Sequence, residues 1–406
     1  MDNSSENILN SEKFEGMSLE GILNKCHEIT NEEIVSVGYG FKKVDGKITN
    51  EKCIIFGVSE KLPIDQISEA DLIPDKLKIL GGSLKTDVVE RPKMIPLSAC
   101  SDFQSWKTSP PSNRNKIRPI KGGLSAINST DKGGFACTLG FLAKDNLDDS
   151  IVAVTNIHCS ASEPFIAGSD TYNGIYAANE MIQPSEEYGS MDIQVGFLKR
   201  LKYLDLNGYN YSDVSIYSLL NSEFDSSSYQ QHGLNIDSPP PFATTQEIND
   251  LLKTDPFLFS SGRTTGAKGQ GAVKLRVSQI NATVTIGGWG STSQIISFRD
   301  CIGFVATPNS QRPFDEECDN PIFRGDSGSA LIADINGIKK IIGLVFAGSA
   351  ELENNEVKRI MEGFACRIDR VACDICISEF SPAAVTPTPT PTETPTPTPT
   401  ETPLNP

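Results

Sequence analysis

Gly325-Asp326-Ser327-Gly328-Ser329 sets a serine between glycines at the head of an apolar, strand-like run, Ser329–Ile332. A serine hydroxyl is a weak nucleophile at neutral pH. A catalytic reading of Ser327 therefore needs a base within hydrogen-bond reach and a carboxylate that fixes the tautomer of that base. The chain holds three histidines, and none follows Ser327, the last being His232. The order serine, acid, histidine of an α/β-hydrolase is thereby disfavoured, and Ser329 stands where the nucleophile elbow of that class has its final glycine. The order histidine, acid, serine stays open. His158 fits it, because it closes the apolar run Ile151-Val152-Ala153-Val154-Thr155-Asn156-Ile157 and is followed by Cys159. His27 and His232 stand in polar stretches and read as surface histidines.

The texture around these residues is that of a mainly β chain. From residue 119 to about 380, short strand-like runs alternate with Gly and Asn turns, as in Ala136–Ala143, Ile193–Leu198, Val214–Leu219, Ile302–Val305 and Ile341–Phe346. Such spacing predicts an all-β barrel or sandwich. Residues 17–92 read differently, as a small α+β domain. A short amphipathic helix over Leu19–Lys25 precedes the strands Ile34–Phe41 and Cys53–Val58, with Asp45-Gly46 as the turn between them. Residues 93–118, with Ser109-Pro110-Pro111-Ser112-Asn113, are expected as a linker. Residues 381–406 carry Thr-Pro repeats. They have little to bury and few backbone donors, so a disordered, extended tail is expected.

The composition narrows the function classes. The 406 residues carry a net charge of −16 with 22% charged and 38% hydrophobic side chains. This permits a packed core and argues against a nucleic-acid partner, which would need a basic face. No apolar run approaches the roughly 20 residues that span a bilayer. The polar start Met1-Asp2-Asn3-Ser4-Ser5 lacks the pattern of a signal peptide, so the expected compartment is the cytoplasm. Ten cysteines are spread along the chain and read mostly as buried thiols. Cys373-x-x-Cys376 alone is a weak zinc signal, and no metal or cofactor is expected.

Beyond the two motifs, Ser261-Gly262-Arg263-Thr264-Thr265-Gly266 and Gly343-Leu344-Val345-Phe346-Ala347-Gly348 complete a recognisable set. With Thr155-Asn156-Ile157-His158-Cys159 and Gly325–Ser329, they resemble the trypsin/chymotrypsin-like serine peptidases over residues 118–350. Within that superfamily they resemble bacterial trypsin-like peptidases related to a plant leaf-width protein. Val37-Gly38-Tyr39-Gly40 and Ile73-Pro74 resemble the domain that precedes such peptidases. The resemblance implies a chymotrypsin-like double β-barrel, with Ser327 as nucleophile and His158 as base. It implies Asp213 as the acid, with Asp192 as the alternative, and an oxyanion hole from the backbone N–H groups of Gly325 and Ser327. It also implies a disulfide between Cys137 and Cys159, which would require an oxidising compartment, in conflict with the signal-less start.

Ile120-Lys121-Gly122-Gly123 resembles the activation site of trypsin-like zymogens, in which a new N-terminus pairs with the aspartate beside the serine. Cleavage after Pro119 is unfavourable, so processing there is not expected and Asp326 needs another partner. The function implied is that of a serine endopeptidase acting on a protein or peptide substrate through an acyl-enzyme. The alternative is a catalytically silent or partner-activated trypsin-fold binding module, held by a regulatory protein partner.

Overall fold

Among the described residues of the computed structural model, strands dominate and fall into two barrel-like sheets of thirteen and nine strands. The structure describes residues 14–380 apart from 30–32, 45–46, 70, 98, 101–111, 129–134, 161–179, 185–193, 221–222, 226–230, 237, 270–272, 288–294, 309–319 and 354–355. The Thr/Pro tail at 381–406 thus lies outside the described residues. The mainly β, two-lobed architecture is the one expected. No helix among the described residues is long and apolar enough to cross a membrane.

The nine-stranded sheet is built on three neighbours. Ile151–Thr155 pairs antiparallel with Phe141–Asp145 on one side and Ser215–Leu219 on the other. Val152, Ala153 and Val154 are fully buried, which is why this run is continuous rather than alternating in hydrophobicity. In the thirteen-stranded sheet, Ala330–Ile335 pairs with Ile338–Glu353 through a hairpin closed at Asn336-Gly337, a dipeptide suited to tight hairpin turns. The candidate residues stand where the ends of these strands come together, with His158 Nε2 2.7 Å from Ser327 Oγ.

The N-terminal unit keeps a small core of its own. The helix Leu19–His27 is capped by Ser18, whose Oγ accepts from Gly21 N–H at 3.2 Å, satisfying one of the open donors of its first turn. Its apolar face, Ile22, Leu23 and Cys26, packs with Val37, Ile54, Phe56 and Leu77. The unit is nevertheless joined to the rest of the molecule by a backbone ladder. Ile34–Val44 pairs antiparallel with Val273–Gly287, with Ser36 opposite Val284 and Gly40 opposite Gln279. A buried polar cluster reinforces that seam. Arg91 donates to Glu362 Oε2 from Nη2 at 2.6 Å and from Nε at 3.1 Å, and to Ser36 Oγ from Nη1 at 2.6 Å. Ser278 Oγ and Gln279 Nε2 donate to the other Glu362 oxygen.

Two expectations need correction. Residues 93–118 are not simply a linker, because Lys93–Pro96 pairs with Ile338–Glu353 and Ala99–Cys100 pairs with Phe135–Leu139. Asn113 is buried and donates to Gly123 O at 2.6 Å and to Ser261 Oγ at 2.9 Å. The polar, Pro-rich middle of the stretch drew the linker reading, whereas the apolar residues Met94, Ile95 and Leu97 decide the packing.

His27 is not on the surface either. It is buried at the end of its helix, where Tyr209 Oη donates to its carbonyl at 2.9 Å. Burial, aided by the charge of Arg299, lowers the pKa of its imidazole to about 3. The unfolded chain takes up this proton near pH 6.5 and the folded chain does not. The stability held by neutral His27 is therefore complete above pH 6.5 and is lost as pH falls toward 3. Urea midpoints measured from pH 7 to pH 4 are expected to fall less steeply in His27→Gln than in the wild-type chain.

Candidate active site

Asn156 follows the strand Ile151–Thr155, and the 3-10 turn Ile157–Cys159 sets His158 against Asp213 and Ser327. Asp213 precedes Ser215–Leu219, the strand paired with Ile151–Thr155, so the sheet itself brings the two together. Asp213 Oδ2 accepts from His158 Nδ1 at 2.5 Å. This bond holds the proton on Nδ1 and leaves Nε2 as an acceptor. His158 Nε2 stands 2.7 Å from Ser327 Oγ. Thus one imidazole links a carboxylate of the nine-stranded sheet to a hydroxyl of the thirteen-stranded one.

Asp213 is fully buried and firmly held. Its other oxygen accepts from Ile157 N–H at 2.7 Å and from His158 N–H at 3.3 Å. Its carbonyl accepts from Asn156 Nδ2 at 2.7 Å, and its own N–H donates to Cys366 Sγ at 3.4 Å. Asn156 and Cys366 were not singled out in the sequence. Asn156 stood within the quoted run and could have been found as the polar interruption before the histidine. Asp192, the rival acid, lies outside the described residues.

The turn that carries Ser327 is clamped from both sides. Gly325 and Gly328 have φ of +98° and +88°, which disfavours any side chain at either position. A Cβ on Gly328 would also stand 2.2 Å from Thr138 O. Thr138 N–H donates to Ser327 O at 2.8 Å, Thr138 Oγ1 donates to Gly325 O at 2.9 Å, and Gly328 N–H donates to Val345 O at 2.9 Å. Ser327 Oγ is further in contact with Phe346 O at 3.3 Å. The N–H of Gly325, expected as one oxyanion donor, donates to the carbonyl of Leu97.

Asp326 answers the question of its partner. It is fully buried and accepts from the N–H groups of Thr264 at 2.8 Å, Thr265 at 3.1 Å and Phe323 at 2.8 Å. Burial raises its pKa despite these donors. The segment Ser261–Gly266 thus supplies two of the three backbone donors that Asp326 receives. Ile120, at the site likened to zymogen activation, is mid-chain, and its N–H donates to Glu223 O at 2.9 Å. Arg263 is buried in the same segment, its N–H donating to Thr138 Oγ1 at 2.9 Å. The roles of Thr264 and Thr265 are missing from the sequence reading, since Thr264 acts through a backbone N–H and Thr265 adds its side chain to its own N–H only once the fold sets it against Asp326.

Cys137 and Cys159 form a disulfide directly behind His158. Their sulfurs and the imidazole lie close together, but the sulfurs are bonded to each other. The acidic stretch 315–319 lies outside the described residues. His232 takes no part in the Asp213–His158–Ser327 contacts, its Nε2 standing 2.9 Å from Ser112 Oγ. Burial, then the charge of Lys121, lowers its pKa.

No protein-family model matches this chain, and no curated protein matches it. Among solved structures, Thermobifida fusca Protease A is similar at 12% identity and a TM-score of 0.37, covering 64% of this chain and 98% of that one. A glutamic acid specific serine protease, described as using a histidine triad in substrate binding, aligns at 14% identity and 0.38, covering 64% and 100%. Cellulomonas bogoriensis chymotrypsin aligns at 13% and 0.36, covering 64% and 98%. Overlaps of this size carry no weight for activity, and they lend no support to the narrower leaf-width-related subgroup. The fold shown is a mainly β architecture built on two barrel-like sheets.

Proposed function

We propose that this chain is a serine endopeptidase that hydrolyses peptide bonds through an acyl-enzyme, with residues 119–380 as the peptidase unit and 17–92 as a preceding α+β unit. The observation that carries the reading is the relay of short contacts from Asp213 through His158 to Ser327, at 2.5 and 2.7 Å. In this reading His158 takes the Ser327 proton as Oγ attacks a peptide carbonyl, and then returns it to the leaving amine. Water repeats the sequence to release the acid. Asp213 accepts from His158 Nδ1 throughout and steadies the imidazolium. The N–H groups of Gly325 and Ser327 receive the negative charge that develops on the carbonyl oxygen, a term worth about 3 kcal/mol per donor.

A biotinylated fluorophosphonate tests the reading directly. Prolonged incubation is expected to modify the chain once, at Ser327, as located by peptide mass, and Ser327→Ala is expected to remain unmodified with an unchanged far-UV circular dichroism spectrum. A well-folded chain that takes no label at all, in the wild type and in the Leu97→Asp variant described below, would fit a silent binding module instead.

A further inference from the structure

The groove beside Ser327 is filled by the chain itself. Lys93–Pro96 lies antiparallel on Ile338–Glu353, with Ile95 opposite Gly348 and Pro96 opposite Ala347. Next along the chain, Leu97 N–H donates to Phe346 O at 3.1 Å, and the Leu97 carbonyl accepts from Gly325 N–H. Phe346 O is also the carbonyl in contact with Ser327 Oγ at 3.3 Å. The Leu97 side chain is fully buried, and its Cδ2 lies 3.3 Å from where a Cβ on Gly348 would stand. A side chain at 348 would first meet Ile360 Cγ2, at 2.8 Å, and would press on the leucine as well, so the close packing here requires glycine.

The path continues past Leu97 onto the other lobe. Ala99 pairs with Ala136 and Cys100 with Phe135, directly before Cys137, which is bridged to Cys159 beside His158. The segment therefore adds a strand to one sheet on the acyl side of Ser327 and to the other sheet on the leaving-group side. Such edge-strand addition is how extended peptides are recognised through main-chain hydrogen bonds, with pockets for individual side chains giving preference. Side-chain burial alone would explain a packed Leu97. It does not explain a carbonyl aimed at the N–H that would receive an oxyanion, next to an activated hydroxyl.

We propose that the chain is its own substrate and that Ser327 cleaves it on the carboxyl side of Leu97. This rests on the endopeptidase reading above and adds a substrate class, an extended strand with leucine on the acyl side of the cut. Ser327 Oγ bonds to the Leu97 carbonyl carbon, and the Oγ proton passes to His158 Nε2. The carbon–nitrogen bond to Ser98 breaks, and the Ser98 nitrogen takes the proton from His158. Water then adds to the Leu97 ester. Its hydroxyl ends on the Leu97 carboxyl group and its remaining proton returns, through His158, to Ser327. The two pieces stay together in the native state, because Ile34–Val44 remains paired with Val273–Gly287 and Arg91 with Glu362.

The test is denaturing mass spectrometry with N-terminal sequencing of the purified full chain. The wild-type chain is expected to yield pieces 1–97 and 98–406, the second beginning at Ser98, at a rate unchanged over a tenfold dilution. Ser327→Ala is expected to stay whole. Leu97→Ala is expected to cleave at least about tenfold more slowly, through lost contact in the slot. Leu97→Asp, which sets a charge in that slot, is expected to stay whole and to take up fluorophosphonate faster than the wild type. A wild-type chain that stays whole while Leu97→Asp labels at Ser327 would overturn self-cleavage and leave the peptidase reading standing. Cutting at another bond would do the same. A whole wild-type chain with no labelling of either protein would end both.

Discussion

Turnover of a leucine-ended peptide anilide is expected to fall by about 10⁶-fold in His158→Ala, a loss in kcat with little change in KM. His158 alone joins the proton-bearing hydroxyl to a buried carboxylate, so no neighbouring group can take over its task. Asp213→Asn is expected to cost about 10⁴-fold with the backbone unmoved. The Asp213 carboxylate accepts from the N–H groups of both Ile157 and His158 as well as from His158 Nδ1. An asparagine can keep the backbone bonds through its carbonyl oxygen, but then it turns its amide N–H₂ toward Nδ1. The imidazole must answer with the wrong tautomer, which puts its proton on Nε2, facing Ser327. Combining the two substitutions is expected to cost little more than His158→Ala alone, because the residues act as a unit. Steady-state kinetics on the purified variants, with far-UV circular dichroism to verify folding, provides the check.

The second large effect concerns stability. Arg91→Met is expected to destabilise the fold by about 3–5 kcal/mol, because it strips a buried carboxylate of its main cation. Glu362 has its pKa lowered to about 2. Burial pushes the other way but is outweighed by Arg91, by Lys43 and by the hydroxyl of Ser278. The sign for pH follows from the lowered value. The stabilisation is fully present above the ordinary glutamate range near pH 4.5 and is lost as pH falls through 2. Arg91→Met should therefore narrow the difference between urea midpoints at pH 7 and pH 3. The double variant Arg91→Met with Glu362→Leu is expected to recover most of the loss, since a buried ion pair replaced by apolar groups of similar size is often near neutral. A single variant as stable as the wild type would show that this cluster does not hold the N-terminal unit to the sheet.

The two motifs and the β texture were legible in the chain because they are local. Gly325–Gly328 needs its glycines for positive φ, and the Ile151–Thr155 run needs its β-branched residues to fill a strand buried on both faces. Chain order also disfavoured the α/β-hydrolase order without any coordinates. His27 was misread for the opposite reason. Its sequence neighbours are polar, but its environment is set by Tyr209 and Arg299, more than 180 residues away. The partner of Asp326 was hidden in another way, since Thr264, Thr265 and Phe323 serve it largely with backbone N–H groups common to almost every residue, the Thr265 side chain adding to them.

Residue order by itself determined which alcohol, imidazole and carboxylates were candidates and that strands would present them, because nucleophile turns and buried strands restrict composition within a few residues. Tertiary structure decided what meets at Ser327. It set Asp213 against His158, gave Asp326 its donors, and drew Leu97, taken from a stretch that reads as a connector, onto the edge beside Ser327. Those outcomes depend on sheet register and on main-chain donors brought together across hundreds of residues, and neither leaves a mark on the local sequence.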